Sequence, residues 1–383
     1  MIEKICDLEK CTGCSACMNA CPSSSIKMVE GKIGHIYPKI LDSCIECGRC
    51  VKLCHVNKEV ELRMPQKTFA AWIKDKNEHA TSTSGGVAAA LTNSYIESGG
   101  VVYGCASLPG GKVMHVRITN KNDAYKLKGS KYVHSHIGDA FTSVKNDLRA
   151  GRTVLFIGLP CQIAGLRNFI GRNCEGLCVV DLICHGVPSQ TVLFDYLGEL
   201  GFSRESIDRL GFREQQGYYL SVESNGKLLY RKHQLKDLFY LAFFDNLCFR
   251  DSCFSCRYAS EKRCGDLTIG DFWGLGNKKS FPYETDGNVS LVLVNTSVGN
   301  VVFFKVSDSL QFVERDIVEA VEGNPNLRKP STCASADKFR AFFDANVPMT
   351  VAFKKCLRVR RIKAMIIPIV EKFSRIKRFL TIR

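Results

Sequence analysis

The chain has 383 residues, of which 45% are hydrophobic and 24% charged, and this is the composition of an ordinary globular protein. The charged N-terminus does not resemble a secretory signal, and no stretch reaches the roughly 18 apolar residues of a membrane span. The net charge is +15, but residues 351–383 contribute +10 of it, with 11 Lys and Arg against Glu371. We therefore expect a cytoplasmic protein of roughly two to three domains and no nucleic-acid-binding core.

The chain contains 20 cysteines, far more than an ordinary cytosolic enzyme has. In a reducing compartment, cysteines do not serve as disulfides. Their spacing therefore indicates metal ligation or redox chemistry.

Residues 1–60 form a cysteine-dense module with two runs of the same spacing. Each run has the form Cys-x2-Cys-x2-Cys-x3-Cys, which is typical of bacterial two-cluster ferredoxins, where the fourth cysteine of one run ligates the other cluster. The spacing thus predicts a 2[4Fe–4S] ferredoxin domain with two ligand groups. We call them the first thiol set (Cys11, Cys14, Cys17 and Cys54) and the second thiol set (Cys44, Cys47, Cys50 and Cys21).

Zinc is the alternative metal for these cysteines. Zinc sites usually separate two Cys-x2-Cys pairs by a dozen or more residues, whereas three closely spaced cysteines recur in each run here. The pattern therefore favours iron–sulfur clusters. Cys6 lies outside the pattern and is interpreted as a buried thiol.

Residues 61–80 are interpreted as a connector, and residues 81–335 alternate strand-like and helical stretches. The predicted strands cover 101–104, 113–118, 154–158, 178–183, 267–269 and 290–295. The predicted helices cover 87–97, 137–149, 163–170 and 190–200. Such alternation predicts an α/β body, so the expected fold class is α+β, with a ferredoxin module, this body and a basic amphipathic tail.

Six motifs follow one another along the body. They are Thr83-Ser84-Gly85-Gly86, residues 128–135 (KGSKYVHS), residues 158–166 (GLPCQIAGL), residues 184–189 (CHGVPS), Cys248-x4-Cys253-x2-Cys256 and residues 269–274 (IGDFWG). Together they resemble the coenzyme F-420 hydrogenase/dehydrogenase beta-subunit family. The resemblance implies FAD and iron–sulfur clusters, a region like the N-terminal part of these subunits at 81–160, and one like the C-terminal part, with a third cysteine cluster, at 161–335.

Ser84, Gly85 and Gly86 precede a predicted helix. Free amides at a helix start, beside glycines without Cβ atoms, favour an anion such as a flavin pyrophosphate. The alternative is a simple cap, with Ser84 satisfying the first turn of the helix.

The segment 128–135 offers a cation, hydroxyl groups and a ring for the same cofactor. Lys131 is predicted to pair with a phosphate or with the reduced flavin, Tyr132 to stack, and Ser130 to add a hydroxyl contact. The alternative is a solvated loop.

Two predicted strands, 154–158 and 178–183, end at motifs that contain Cys161 and Cys184. In a parallel sheet both cysteines reach the carboxyl rim, where ligands bind in open α/β sheets. Near this rim we predict His185 as a catalytic residue. The predicted cofactor contacts there are Gly158, Pro160, Cys161 and Gln162. The alternative for the two cysteines is burial in the core.

A third [4Fe–4S] cluster is predicted from Cys248, Cys253 and Cys256. A fourth ligand is needed, and the candidates are Cys264, Cys184 and Cys161, of which Cys184 is taken as the ligand. Spacing alone also allows a zinc site that uses Cys264.

Asp271 and Trp273 lie in the last motif. Asp271 is predicted to bind a polar group of the flavin or substrate, and Trp273 to pack on a ring. The alternative is a buried turn aspartate and a core indole.

One-electron clusters and a two-electron organic substrate require a converter, and flavin is one. We therefore expect an iron–sulfur flavoprotein oxidoreductase that exchanges electrons with a ferredoxin-type partner and passes hydride to an organic acceptor. His185 or Tyr132 is predicted to supply a proton. The alternative is a non-catalytic electron-transfer subunit of a larger hydrogenase or dehydrogenase complex. The arrangement also resembles bacterial relatives linked to surface-polysaccharide synthesis, which implies a sugar or lipid-linked glycan as substrate.

The C-terminal tail, 350–383, mixes basic and apolar residues at roughly helical spacing. Such a helix can lie on an anionic lipid surface, which predicts a peripheral location at the inner face of the membrane. The alternatives are a solvated basic tail and, third, RNA binding.

Overall fold

A computed structural model of the chain describes residues 2–171, 174–214, 217–285 and 287–367. Its N-terminal module holds two short helices and a two-stranded antiparallel sheet, in the order α1 (Ala16–Ala20), β1 (Ile26–Glu30), β2 (Ile36–Ile40) and α2 (Arg49–Leu53). Each helix begins directly after a left-handed residue, Ser15 or Gly48. The two halves of the module therefore repeat in structure as they do in sequence.

Among the described residues, the body has eleven further strands and, up to Cys356, eleven further helices. Up to residue 199 they are β3 (Lys67–Ile73), α3 (Lys76–Ala80), α4 (Val87–Glu97), β4 (Val101–Ser107), β5 (Val113–Ile118), α5 (Ala140–Arg149), β6 (Val154–Gly158), α6 (Pro160–Ile170), β7 (Leu177–Leu182) and α7 (Gln190–Glu199). The rest are β8 (Arg209–Glu214), β9 (Gly217–Ser224), β10 (Lys227–His233), α8 (Leu238–Phe244), α9 (Asp251–Phe254), β11 (Leu267–Asp271), β12 (Ser290–Val294), α10 (Ser297–Lys305), β13 (Leu310–Glu314), α11 (Ile317–Gly323), α12 (Ala336–Asp344) and α13 (Met349–Cys356).

An eight-stranded mixed sheet organises the body, with the strand order β13-β3-β12-β11-β7-β6-β4-β5. Its centre is parallel, because β6 pairs in parallel with β4 and with β7, and β7 pairs in parallel with β11. The outer pairs are antiparallel. The predicted parallel pairing of β6 with β7 is thus confirmed, and both strands end at the same edge of the sheet.

Helices cover both faces of this sheet, and alternate residues of β6 show the two cores. Leu155 packs with α4 and α10 on one face. Phe156 packs with α5 and α6 on the other face, in a core that also includes Cys14 and Ala16 of the N-terminal module. The module is therefore docked on the face that α5 and α6 cover.

The mixed α/β body behind a ferredoxin-like module agrees with the expected fold class. All six predicted strands and all four predicted helices exist, and most bounds differ by no more than three residues. The stretch 61–80, interpreted as a connector, holds β3 and α3, and β3 lies inside the main sheet between β13 and β12. The body therefore begins before residue 81.

The sequence patterns do not predict a separate antiparallel sheet of β8, β9 and β10, nor the helices α8 to α12. Of the predicted tail, α13 and a helical segment at 358–367 lie within the described residues, and 368–383 lie outside them. Across the described ranges, no helix has the length and apolar character needed to cross a membrane.

Candidate functional site

The first thiol set comes together as the spacing predicts. Its four cysteines line one small cavity, and Cys6 lines it too. A hydrogen bond from Cys6 and the positive charge of Arg250 lower the pKa of Cys11 to about 6. Arg250 also donates hydrogen bonds to the backbone oxygens of Cys11, at 3.2 Å, and Ile36, at 3.0 Å. Four thiols around one cavity, with a cation beside one of them, fit an anionic [4Fe–4S] cluster.

The second thiol set lies nearer the surface. Burial raises the pKa of Cys50, and the neighbouring thiols of Cys21 and Cys44 raise it further. Cys47 is exposed. The backbone N–H of Ser25 donates to the sulfur of Cys21 at 3.2 Å, which is the kind of contact that stabilises a thiolate ligand.

A third thiol set forms where the parallel strands end. It consists of Cys161, Cys184, Cys253 and Cys256. Burial raises the pKa of Cys161, and the nearby thiols of the other three members raise it further. Burial and the thiols of Cys253 and Cys256 likewise raise the pKa of Cys184. These four side chains come from three separate segments, the first turn of α6, the stretch after β7 and the region of α9, so the sheet assembles the set.

Cys248 and Cys264 lie outside this set. Cys248 is fully buried, and the thiol that acts on it is Cys333 rather than a member of the set. The single S–H of Cys264 has two acceptors within reach, the backbone oxygen of Pro160 at 3.3 Å and the carboxylate of Asp181 at 3.6 Å. Burial raises the pKa of Cys264, so this thiol stays protonated with acceptors of its own.

In the described part of the chain, no group of three or more His, Cys, Asp or Glu side chains converges on a point that could hold a single metal ion. A cubane is larger than an ion and takes each thiolate on a different iron.

The first and third sets meet along one face of α6. A Cβ atom added at Gly165 would stand 2.8 Å from the sulfur of Cys14. Cys161 lies in the first turn of the same helix, four residues earlier and therefore on the same face. The missing side chain at Gly165 allows the N-terminal module to approach α6 this closely.

A cavity of about 510 Å³ opens beside the third set, and Cys184 lines it. Most of the predicted contact residues also line it: Ser84, Gly86, Ser130, Lys131, Tyr132, Gly158, Gln162, His185 and Asp271. Gly85, Pro160 and Cys161 do not. A cavity of this size lies within the range of roughly 300–1,000 Å³ typical of ligand sites.

Helix α4 points its N-terminus at the cavity. Its cap residue is Gly86, with φ +83°, and no side chain caps the helix. The predicted alternative, a cap by Ser84, is wrong, because the Ser84 hydroxyl accepts from Ser290 at 3.1 Å and contacts the Val289 oxygen at 3.5 Å. Gly85 is needed for a different reason: a Cβ there would stand 2.2 Å from the backbone oxygen of Ala71.

Lys131 and Gln162 hold the cavity wall in place. The ammonium of Lys131 is buried and lies within 3.3 Å of four backbone oxygens, those of Cys105, Lys126, Leu127 and Lys128. The amide of Gln162 accepts from the N–H of Leu159 and donates to the oxygen of Ser135, both at 2.9 Å. Both polar groups already have protein partners, so these residues shape the wall.

An ion pair and several rings form another part of the wall. Arg213 binds Asp271 with both terminal nitrogens, at 2.6 and 3.1 Å, and lies over the ring of Tyr218. The ring of Tyr132 packs 4.9 Å from that of Phe243. No motif marked Arg213, Tyr218 or Phe243, because they belong to β8, β9 and α8, which the strand and helix patterns did not reveal.

His185 follows the third set's Cys184 and lines the cavity. Its Nδ1 lies 3.4 Å from the amide nitrogen of Asn326, and its Nε2 has no hydrogen-bond partner among the described residues. Burial lowers the pKa of His185, while the amides of Asn326 and Asn246 act in the opposite direction. The imidazole is therefore neutral at pH 7.

Known proteins match two parts of the chain. Residues 10–58 match the 4Fe-4S dicluster domain family, and residues 151–320 match the family that describes the C terminus of the coenzyme F420 hydrogenase/dehydrogenase beta subunit. Residues 151–320 are thus related to the coenzyme F420 hydrogenase/dehydrogenase beta-subunit family. With the dicluster domain at residues 10–58, the chain is an iron–sulfur, oxidoreductase-like electron-transfer protein related to these beta subunits.

Individual proteins resemble it more remotely. An uncharacterized ferredoxin of Methanocaldococcus jannaschii is 29% identical over 79 residues, which is 20% of this chain and 95% of that ferredoxin. A chain of the F420-reducing [NiFe] hydrogenase complex from Methanosarcina barkeri, solved as a xenon derivative, is 20% identical, with a TM-score of 0.45. That similarity covers 79% of this chain and 92% of the hydrogenase chain.

Proposed function

We propose that the protein is an iron–sulfur flavoprotein oxidoreductase that moves electrons between a ferredoxin-type partner and an organic hydride acceptor. The observation that carries the proposal is the order of the thiol sets. They run from the exposed Cys47 of the second set, through the first set and across Gly165 to the third set, whose Cys184 lines the large cavity. This order supports a one-electron path from the surface to a buried reaction site.

Each thiol set has the four ligands that a [4Fe–4S] cluster needs. For the third cluster we propose Cys161, Cys184, Cys253 and Cys256, because their thiols are neighbours. Cys248 takes no part in this set.

Residues of the cavity wall suit FAD. The uncapped start of α4 at Gly86, with the hydroxyls of Thr83 and Ser130 beside it 3.1 Å apart, offers donors to a pyrophosphate. The rings of Tyr132 and Phe243 offer a surface for a flat ring system. When bound, FAD would supply the exchange between one-electron and two-electron chemistry.

His185 and Tyr132 are the proposed proton-handling residues. The neutral imidazole of His185 can accept a proton or pass one on at the cavity wall. Burial raises the pKa of Tyr132, so its hydroxyl stays protonated and can donate a hydrogen bond. Asp271, held by Arg213, is a fixed acceptor for a hydroxyl or amide of the ligand.

For the acceptor we propose a sugar or lipid-linked glycan. The support is the resemblance to bacterial relatives linked to surface polysaccharide, together with the basic segment after the body. On the helical segment 358–367, Val359, Ile362 and Met365 are exposed among four basic residues. Such a surface supports binding to anionic lipid, where such an acceptor would be found.

The first test is anaerobic purification with iron, sulfide and flavin measured, along with a visible spectrum. We expect about 12 iron atoms and one FAD per chain, since three cubanes hold four irons each. About eight irons without flavin would leave only the dicluster domain and would refute the flavoprotein proposal. Turnover by the isolated chain with a small acceptor separates an enzyme from a subunit that only transfers electrons.

The ligand set of the third cluster has a matched test. Cys184→Ser should lose about four of the 12 irons, whereas Cys248→Ser should keep them all. Loss of iron from Cys248→Ser, with none from Cys184→Ser, would contradict the proposed set.

A further inference from the structure

Iron–sulfur clusters deliver electrons without protons. Two-electron reduction of an organic acceptor consumes two electrons and two protons, one of which travels with the hydride. If two one-electron donors supply the electrons, both protons have to come from solvent. Since the proposed function places this reaction in a deep cavity, and the inference rests on that function, the protein needs a route for protons.

Four of the eight histidines gather between the N-terminal module and the cavity. We call His35, His115, His134 and His136 the histidine file. The ring centres of His35 and His134 are 6.4 Å apart, and those of His134 and His136 are 6.2 Å apart. A gap of this length between polar rings can be bridged by one water molecule.

Two rings of the file are deeply buried. His35 is 1% exposed and His134 is 2% exposed. Both ring nitrogens of His134 lack a hydrogen-bond partner in the described ranges, and so does Nε of Arg250, whose charge acts on both rings. The ring of His35 has the backbone of Cys248 as a weak partner. Three unpaired atoms in one place are unusual, because buried polar groups are nearly always satisfied by protein or by ordered water.

The file has one end at the surface and one at the cavity. His136 is only partly buried and lies near Arg204 and Glu30, and Glu30 is exposed. At the other end, Nε2–H of His115 donates to the backbone oxygen of Ile157 at 3.0 Å, so its Nδ1 accepts from the hydroxyl of Ser135 at 2.8 Å, and both residues line the cavity. Strand β5 ties the ends together, because the N–H of His115 donates to the backbone oxygen of His136.

From this geometry we propose that the histidine file is a proton route from solvent to the cavity. Protons enter at His136 and pass His134 through bridging water. They then reach the cavity wall at the hydroxyl of Ser135, whose partner is Nδ1 of His115, while His35 lies beside His134 as a side branch of the path. Each proton that enters compensates the charge of an electron that arrives through the clusters.

The charges around the histidine file favour the passage of a proton over its retention on a ring. Arg250 faces His35, His134 and His136, Arg340 faces His35, and Lys131 faces His115. Burial and these cations lower the pKa of the file's histidines, and Glu30 near His136 is the opposing carboxylate. The rings therefore stay neutral and can relay a proton without trapping it.

The experiment uses the full chain with its clusters and flavin. Reduced two-cluster ferredoxin, which donates electrons only, is mixed with the protein in weak buffer that contains a pH-indicator dye. Flavin bleaching and proton uptake are followed together. In the wild type, proton uptake should keep pace with bleaching. In His134→Leu, proton uptake should slow by on the order of tenfold or more, while cluster reduction keeps its rate.

His233→Leu is the matched control, because His233 lies in β10 and does not line the cavity. The melting temperature distinguishes a proton carrier from a purely structural role of His134. If His134 only carries protons, replacing its unpartnered buried ring by leucine should leave the melting temperature unchanged or raise it. A lowered melting temperature, or less bound iron or flavin, together with slow uptake would therefore overturn the route.

Proton uptake by His134→Leu at the rate of the wild type would also overturn the proposed route. If that variant does not fold, His136→Leu tests the surface end, and wild-type uptake there has the same meaning. A wild-type protein without flavin would remove the proposed function and this route together, whereas a flavin-loaded protein with unaffected variants would remove only the route.

Discussion

The first and second thiol sets have the same spacing but different surroundings. The first set is buried, faces Arg250 and touches α6 at Gly165. The second set has the exposed Cys47, and a Cβ added at the neighbouring Gly48 would meet nothing within 4 Å. The same local motif thus becomes an inner site in one half of the module and an outer site in the other, depending on what packs against it.

The largest effect is expected at the outer site. Cys47→Ser should slow reduction of the bound flavin by reduced ferredoxin at least about 100-fold, because one cluster loses a thiolate ligand. Flavin content should not change. Stopped-flow absorbance measures both. Full ferredoxin-driven reduction in this variant would show that electrons do not enter through the second set.

The contact between Gly165 of α6 and Cys14 of the first set can be tested by adding one methyl group at residue 165. Gly165→Ala should destabilise the protein by about 1–3 kcal/mol, because the added Cβ overlaps the sulfur of Cys14. Gly198→Ala, in α7 with nothing within 4 Å of its added Cβ, is the control and should stabilise by up to about 1 kcal/mol. Denaturant unfolding measures the change in the free energy of unfolding for both variants. Equal changes would contradict the tight contact between Gly165 and Cys14.

The positive charge of Arg250 at the inner site should give the two clusters of the N-terminal module different reduction potentials. Arg250→Met removes a cation beside the first set, which disfavours the reduced, more negative cluster by about 1 kcal/mol, or roughly 40 mV for one electron. Redox titration followed by electron paramagnetic resonance should show one of the two module signals shifted to lower potential. Equal shifts of both signals would contradict the distinction between inner and outer sites.

The smallest effect is expected at the surface beside the second set. Ile45 is 63% exposed next to Cys44. Ile45→Ser should slow electron entry from ferredoxin by about two- to fivefold, since isolated surface contacts contribute little binding energy. Reduction by a small chemical reductant should be unaffected. Val301→Ser, similarly exposed on α10, is the control. A slower rate in both variants would exclude a specific docking role for Ile45.

The first two thiol sets could be predicted because their ligands are close in sequence and the motif itself winds the chain around the cluster. The third set is different, because its members come from three segments far apart in sequence that the sheet brings together. Spacing favoured Cys248, which is five residues before Cys253, whereas the fold places Cys161 beside Cys184. The expectation that both cysteines lie at the carboxyl rim came from the parallel strands and was the better guide.

The cavity could be predicted in part for the same reason. The glycine-rich start of α4 and the ends of β6 and β7 are visible as patterns. Arg213, Tyr218 and Phe243 were not, because β8 to β10 carry mixed polar and apolar residues without a clear alternation. The role expected of Lys131 illustrates another limit, since four backbone oxygens around its ammonium are a tertiary arrangement.

The docking of α1 has one more consequence. Asn19 donates to the backbone oxygen of Gly138 at 2.7 Å and accepts from the N–H of Thr142 at 3.0 Å, and Cys14 and Ala16 share a core with α5 and α6. The ferredoxin part is therefore fixed on the body rather than attached to it as a mobile carrier domain. Under the proposed function, electrons would cross it over a constant distance, and diffusion would be needed for the arrival of the redox partner at the outer site.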